Sequence, residues 1–483
     1  MNQVTSVLTC EALIDGEVLE ATTTFQDLDP ATGETLAEVA RCGADEINRA
    51  VEAARRTFKS DWSRRSPSER AGVLRKIATL IRRDHDELSR LESLDTGKPI
   101  SQARADVEIS ARYFDFYAST IEAVYGDTVP LGAQVFVYTL REPHGVTGHI
   151  IPWNYPAQMV GRSIAPALAA GNCSVLKPAE EAPLSAVQIA RLALEAGLPK
   201  GAFNVVPGLG EEAGAALAGN AGIDHLSFTG STEVGRLVAK AAADNIVPVT
   251  VELGGKSPNI VFVDADLERA MSTVVRSIVQ NAGQTCSAGS RLLVEEDVYD
   301  VVRDGVAERF RSLRLGPGIE DPDVGPLITE RQQSRVHDLV EDARGQGRVV
   351  VGGHTPDDAR LRNGFFYEPT LIDEVDSTAP IAQEEVFGPV IVVLPFRGVD
   401  AAATLANSTS YGLVAGVWTR DVVKAHRLAN EIEAGQVFIN TYGAGGGVEL
   451  PFGGRKLSGY GREKGFEGLL AFTRTKTVAI DLA

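Results

Sequence analysis

The chain has 483 residues, 44% hydrophobic and 23% charged, an ordinary globular mixture with length for roughly two or three units around large cores. Its formal net charge of -18 repels polyanions, which argues against nucleic acid and acidic membrane surfaces as partners. The short basic runs Arg64-Arg65 and Arg82-Arg83 then read as solvated helix faces.

In chain order, Met1-Asn2-Gln3-Val4 shows no basic segment leading into an apolar one, and no run of about 18 apolar residues follows anywhere. A cytoplasmic protein is expected. The first hundred residues read as short strands followed by helices. Asp45 is expected to open a helix carrying Ile47, Ala50, Val51, Ala54 and Phe58 inward. Ser66-Pro67-Ser68-Glu69 is a helix start: Ser66 caps, Pro67 suits the first turn, and Glu69 closes a capping box. Leu74, Ile77, Ala78 and Ile81 continue that helix. Residues 126–144 read as a strand-like insert.

From 146 onward the pattern becomes regular. Residues 146–151, Cys173–Lys177, 203–206, His225–Thr229 and 249–253 read as short buried strands, with helices such as 184–196 and 232–243 between them. This alternation predicts an α/β fold, a doubly wound parallel sheet of the kind that binds nucleotides. A second α/β series starts with a strand at 259–263 and a helix at 266–280. It continues through 291–294 and a helix near Asp297, to about residue 440. Residues 443–447 (Gly-Ala-Gly-Gly-Gly) read as a flexible loop, and 473–482 as a terminal strand. An insert and a tail of strands outside both cores suggest a sheet that pairs across subunits. The sequence shows no internal repeat.

Four cysteines without a CxxC pair form no disulfide framework, and seven scattered histidines without HxxxH or HxH spacing offer no metal site. Cys286 differs from the other three. It lies in Asn281-Ala-Gly-Gln-Thr-Cys286-Ser-Ala-Gly, where glycines and small polar residues predict a tight loop that a substrate can reach. Glu252, in Val251-Glu252-Leu253-Gly254-Gly255-Lys256, ends an apolar strand. A carboxylate there is either paired with a lysine or a helix N-terminus, or is a general base of raised pKa. In Ile150-Ile151-Pro152-Trp153-Asn154-Tyr155-Pro156, prolines and aromatics bracket one amide, which is either a turn asparagine or an oxyanion donor. Phe228-Thr229-Gly230-Ser231-Thr232 follows a strand and opens a helix, a place that suits a pyrophosphate. Gly208-Leu209-Gly210 is a weaker signal of the same kind.

These motifs in this order, with Lys177-Pro-Ala-Glu180, Glu384-Glu385-Val-Phe387-Gly-Pro and Pro451-Phe452-Gly-Gly, resemble the aldehyde dehydrogenase superfamily through nearly the whole chain. The resemblance implies a cofactor domain (1–125 with 148–255), a catalytic domain (256–455) and a small β oligomerisation unit (126–147 with 470–483), assembled as a homodimer or homotetramer. It implies oxidation of a small-molecule aldehyde to the acid with NAD, preferred over NADP. Cys286 would be the nucleophile. Asn154 and the Cys286 N–H would form the oxyanion hole, Glu252 would activate the deacylating water, and Glu463 would assist proton movement. Ile151, Trp153, Lys177, Glu180, Gly210, Gly230, Ser231, Leu253, Glu385 and Phe387 would hold NAD. Lys177 and Glu180 would sit at the adenine ribose, and Glu385 at the nicotinamide ribose. Tyr155, Arg162 and Phe452 would face the substrate.

One departure from the family pattern stands out. Arg162-Ser163 replaces a Trp-Lys pair whose lysine is assigned to a proton relay. Arg162 instead matches an arginine that grips the substrate carboxylate in succinic semialdehyde dehydrogenases, but a second such arginine is replaced by Gln280. Arg162 therefore either selects an anionic substrate or makes a structural salt bridge. Three alternatives remain. One is a coenzyme-A-acylating enzyme, although such enzymes generally lack the glutamate matched by Glu252. Another is a cysteine hydrolase, which needs a histidine partner that no local Cys/His signature supplies. The third is a non-catalytic binding protein on the same fold.

Overall fold

A strand buried on both faces has no reason to alternate polar and apolar residues, so the continuous apolar runs pair in the interior of a sheet. In the computed structural model, which describes residues 7–443 and 447–482, five of them form the parallel centre of an eight-stranded sheet. Their spatial order is Val249–Glu252, His225–Thr229, Val146–Ile150, Cys173–Lys177, Phe203–Val205. Chain order reverses beside Val146–Ile150, which makes its carboxyl end the switch point where an open α/β sheet forms a crevice. The register decides what meets there. Ile150 pairs with Lys177 on one side and Phe228 on the other, and Thr229 pairs with Glu252. The segments after all four strands therefore emerge at one level.

Antiparallel strands close both edges. Ala12–Ile14 and Glu17–Leu19 lie beyond Phe203–Val205, and Gly459–Tyr460 pairs with Val251 and Glu252. The chain thus returns to its first sheet after leaving the second. That second sheet has seven strands, in the order Arg348–Val351, Thr370–Asp373, Val390–Phe396, Arg291–Glu295, Pro258–Val261, Val414–Trp418, Gln436–Ile439. All pair in parallel except the first. Each sheet has its own core, one around Tyr113, Phe114 and Phe203, the other around Phe262, Tyr367 and Trp418.

Expected elements form with small shifts at their ends. The helix Ala44–Ser60 starts one residue before Asp45, because the Glu46 carboxylate accepts the Gly43 N–H at 2.8 Å. The Ser66 capping box is present: Ser66 N–H donates to Glu69 and Ser66 Oγ accepts the Glu69 N–H. The helix expected at 266–280 ends as Leu267–Val279, and the one expected near Asp297 begins as Tyr299–Arg311 after a short turn. The insert and tail are both extended, and they pair with each other within the chain. Val135–Pro143 runs antiparallel to Thr473–Asp481, with Thr128–Pro130 outside it. The loop at 443–447 lies partly outside the described residues. Among the described residues, no helix is long and apolar enough to cross a membrane.

Candidate active site

The segment before Cys286 is strained and held. After Leu267–Val279 the chain makes a turn over Gln280–Gly283 in which Asn281 (φ 48°) and Ala282 (φ 53°) adopt left-handed backbone, unusual outside glycine. Amide side chains hold it there. Asn281 N–H donates to Gln102 Oε1 at 2.9 Å, Gln284 Nε2 donates to Asn281 O at 3.0 Å, and Ile328 N–H donates to Gln284 Oε1 at 2.9 Å. Strain held by surrounding contacts is a mark of functional segments. The turn delivers Cys286 half-buried against the cluster of Leu413, Val414 and Phe452. Burial pushes its thiol up to about 12, and Arg162 is the first charge opposing that rise.

Asn154 is fixed by partners more than by its neighbouring prolines. Its carbonyl accepts hydrogen bonds from Lys98 Nζ at 2.8 Å and Asn281 Nδ2 at 2.9 Å. Its own Nδ2 donates to Gln284 O at 2.9 Å, just ahead of Cys286. An amide nitrogen carries two N–H groups, and this bond uses one of them. Lys98 is fully buried. It also donates to Glu92 at 3.1 Å and Asp106 at 2.6 Å, and lies 4.3 Å from the centre of the Tyr155 ring. Glu92 in turn accepts the Ala157 N–H at the start of the helix Pro156–Ala170. Sequence reasoning missed this cluster, since Glu92, Lys98 and Asp106 look like ordinary helix charges until the fold buries them together.

Glu252 is buried, and neither carboxylate oxygen has a hydrogen-bond partner. Burial raises its pKa well above the carboxylate range, Glu463 adds to the rise, and Arg162 opposes it. Arg162 Nη2 stands 4.0 Å from Glu252 Oε2, while Arg162 Nε is in contact with Glu463 Oε2. Glu463 Oε1 accepts the Ser227 hydroxyl at 2.9 Å. The Arg162 guanidinium also lies 4.4 Å from the Phe452 ring centre. The arginine expected either to face a substrate anion or to make a salt bridge is thus already committed to two carboxylates. Ser163 donates back to Met159 O at 3.1 Å within its helix and reaches neither acid.

Across the crevice, Lys177 Nζ donates to Glu180 Oε2 at 2.6 Å. Burial raises the Glu180 carboxyl, but the charge and hydrogen bond of Lys177 outweigh it and leave the group below its ordinary value. Ser231 Oγ accepts the Val234 N–H and caps the helix Thr232–Asp244. Glu385 Oε1 accepts the Gly255 N–H at 2.9 Å, and burial pushes this carboxyl up to about 7. The paired glycines after Glu252 are required by close approach. A Cβ on Gly254 would lie 2.1 Å from Glu385 Oε2, and one on Gly255 would lie 2.5 Å from the Cys286 carbonyl oxygen. Phe387, also left-handed (φ 56°), has its carbonyl held by Gln332 Nε2 at 2.8 Å and packs edge-on to Trp153 at 5.4 Å.

These groups line one cavity of about 1350 Å³. Cys286, Glu252, Asn154, Ile151, Trp153, Tyr155, Arg162, Lys177, Glu180, Gly210, Gly230, Ser231, Glu385, Phe387 and Phe452 all reach its wall. Two expected residues do not. Leu253 packs into the core against Gly235, and Glu463 sits behind the wall, reached through Arg162. Lys464, Gln332 and Arg335 are on the wall without having been marked by any sequence motif. Among the described residues, no group of three or more His, Cys, Asp or Glu side chains is placed to hold a metal ion.

The aldehyde dehydrogenase family model matches residues 18–478. The chain belongs to the aldehyde dehydrogenase family. Human retinal dehydrogenase 2 is 43% identical to this aldehyde dehydrogenase over 464 residues, covering 95% of this chain and 89% of that protein. Betaine aldehyde dehydrogenase of Bacillus subtilis is 42% identical over 456 residues, 93% of each chain. Among solved structures, an NAD+ complex of aldehyde dehydrogenase from Bacillus cereus superposes on this aldehyde dehydrogenase with a TM-score of 0.96. The two are 40% identical, with 98% of this chain and 97% of that one covered.

Proposed function

We propose that this aldehyde dehydrogenase oxidises an aldehyde to the carboxylic acid with NAD, with Cys286 as nucleophile and Glu252 as the base of deacylation. The observation that carries this reading is a buried carboxylate without a hydrogen-bond partner and a reachable thiol, opening into one cavity beside the Asn154 amide. A buried polar group left unpaired is costly and needs an occupant such as water.

The cavity fits the cofactor. It lies at the switch point of a doubly wound sheet, with the Lys177–Glu180 pair, the Gly230-Ser231 turn and the Glu385 carboxylate on its wall. Lys177 and Glu180 would hold the adenine ribose, Gly230 and Ser231 the pyrophosphate, and Glu385 the nicotinamide ribose. When bound, NAD supplies the acceptor for the hydride that leaves the substrate carbon.

The residues of the chain do the remaining work. Cys286 gives its thiol proton to water in the cavity, its Sγ forms a bond to the aldehyde carbon, and the second Asn154 N–H steadies the oxygen that gains the electron pair. After oxidation the carbon is held as a thioester. Glu252 takes a proton from water, the water oxygen bonds to the thioester carbon, the C–S bond breaks, and Cys286 leaves as thiolate. Arg162 keeps Glu463 and Glu252 in place beside it.

We assign 1–125 and 148–255 to the cofactor domain and 256–455 to the catalytic domain. Residues 456–469 go with the former, because Gly459–Tyr460 joins its sheet and Leu469 its core. Exposed Phe136, Leu140 and Ile480 on the paired insert and tail support assembly as a homodimer or homotetramer through that unit. The test of the reaction is formation of NADH with a simple aldehyde. Cys286→Ala should still bind NAD by calorimetry and retain less than about a hundredth of turnover. Greater retention overturns the assignment.

A further inference from the structure

Arg162 is engaged, but a second cation in the same cavity is not. Lys464 lies on the cavity wall with Cys286, and its Nζ is 5.6 Å from the centre of the Phe452 ring, the ring on which Arg162 also stacks. The carboxylates around it are taken. Glu463 is in contact with Arg162 and accepts from Ser227, and Glu449 accepts from Arg112 at 2.9 Å. No carboxylate lies within salt-bridge distance of Lys464 among the described residues, and its Nζ makes no hydrogen bond to the protein there.

The backbone holds this side chain in place. Phe452 and Glu463 exchange both N–H···O bonds, at 2.7 and 2.8 Å, and Gly465 N–H donates to Val448 O at 2.8 Å. Lys464, between these two anchors, has φ 62°, a conformation costly for a residue with a Cβ. Inference runs from such an outlier to function. Ile109, Met159, Val279, Phe438 and Leu450 add apolar surface to the wall of the same cavity.

We infer that Lys464 is a specificity-determining residue that binds an anionic group at the far end of the substrate, so that the preferred substrate is an apolar-bodied aldehyde carrying a carboxylate. This rests on the dehydrogenase reading above. An ammonium without a carboxylate partner on an apolar wall gains most from a ligand that brings the missing charge. Burial, with Arg162 adding to it, pushes the Lys464 ammonium down to about 8. An anionic ligand would stabilise its charged form. The charged and titratable groups facing it are Arg162, Glu463, Cys286, and Glu449 with its partner Arg112.

The test compares kcat/KM for 4-formylbenzoate with that for methyl 4-formylbenzoate, a neutral aldehyde of similar shape whose carbonyl is if anything the more electrophilic, and adds benzaldehyde and betaine aldehyde. The wild type should favour the carboxylate over its ester. Lys464→Met should lower that ratio about tenfold or more, and Lys464→Arg should retain most of it. The wild-type ratio should also fall above about pH 8, as Lys464 loses its proton, while changes at Cys286 and Glu252 cancel between the two substrates. This last measurement decides the matter if Lys464→Met fails to fold. A wild-type ratio near one, an equal effect of Lys464→Met on both substrates, or a preference for betaine aldehyde overturns the inference. If no aldehyde in the set yields NADH, the dehydrogenase reading fails and takes the inference with it. If only the ratio fails, the dehydrogenase reading stands.

Discussion

Arg162 Nη2 lies 4.0 Å from Glu252 Oε2, and the same guanidinium is in contact with Glu463. One cation therefore serves two buried acids, in a helix where family members commonly place the relay lysine. A guanidinium does not release its proton at working pH, so Arg162 can hold charge in place but not pass a proton on. Arg162→Leu should strand Glu463 and Glu252 together. We expect a stability loss on the order of 3–5 kcal/mol by urea denaturation, the usual result of breaking a buried ion pair. Turnover should fall for every aldehyde alike, since the guanidinium acts on the protein's own carboxylates. A defect confined to anionic substrates would contradict this.

The same pair sets a pH dependence. Glu252 is held well above the carboxylate range by burial, so the fraction able to act as a base grows as pH rises through its raised pKa. Steady-state turnover limited by deacylation should climb with pH through that titration. Glu252→Gln should leave a burst of NADH but a slow steady state without that climb. If Arg162→Lys folds and weakens the contact, the climb should move to higher pH, because Arg162 is the charge that lowers the Glu252 pKa. Stopped-flow traces at several pH values check both. An equal fall of burst and steady state would move Glu252 to the activation of Cys286.

Lys98 supports Asn154, the proposed oxyanion donor, through its backbone carbonyl. It has two buried acids and the Asn154 carbonyl as partners, so Lys98→Met leaves Glu92 and Asp106 without their cation. We expect a loss on the order of 3–5 kcal/mol in urea denaturation. Adding Asp106→Asn should recover part of it by removing one stranded charge. A double mutant no more stable than the single would show that Asp106 is not an uncompensated charge in Lys98→Met.

Glu180 should decide the cofactor. Its carboxylate, kept ionised by Lys177, would accept a hydrogen bond from a ribose 2′-hydroxyl and would repel a 2′-phosphate. NAD should show the higher kcat/KM, with Lys177 tempering the contrast. Glu180→Gln should raise the NADP-to-NAD ratio several-fold, about 1 kcal/mol for the removal of one screened charge. Equal wild-type values for the two cofactors would remove Glu180 from the ribose.

The motifs that mark the site were legible because each is local. The apolar runs ending in Ile150, Lys177, Thr229 and Glu252 announce strands, and the prolines after the first two and glycines after the last two announce turns. The order of the runs around their helices predicts a doubly wound sheet, and the sheet register then brings the four turns to one level. Gly254 and Gly255 could be recognised as a motif, but their reason, room for the Glu385 carboxylate and the Cys286 carbonyl, needs residues up to about 130 positions away.

What the sequence alone determined is the fold class and the presence of a thiol, a carboxylate and an amide in family order. Only the tertiary structure decided how the charges are shared. Arg162 left two roles open in the sequence, and Lys98 and Lys464 belonged to no motif, because a charge shows its role only against its partners, and those are set by long-range packing. Folding places Arg162 between Glu463 and Glu252, seals Lys98 between Glu92 and Asp106, and leaves Lys464 on the cavity wall with its neighbouring acids already bound elsewhere.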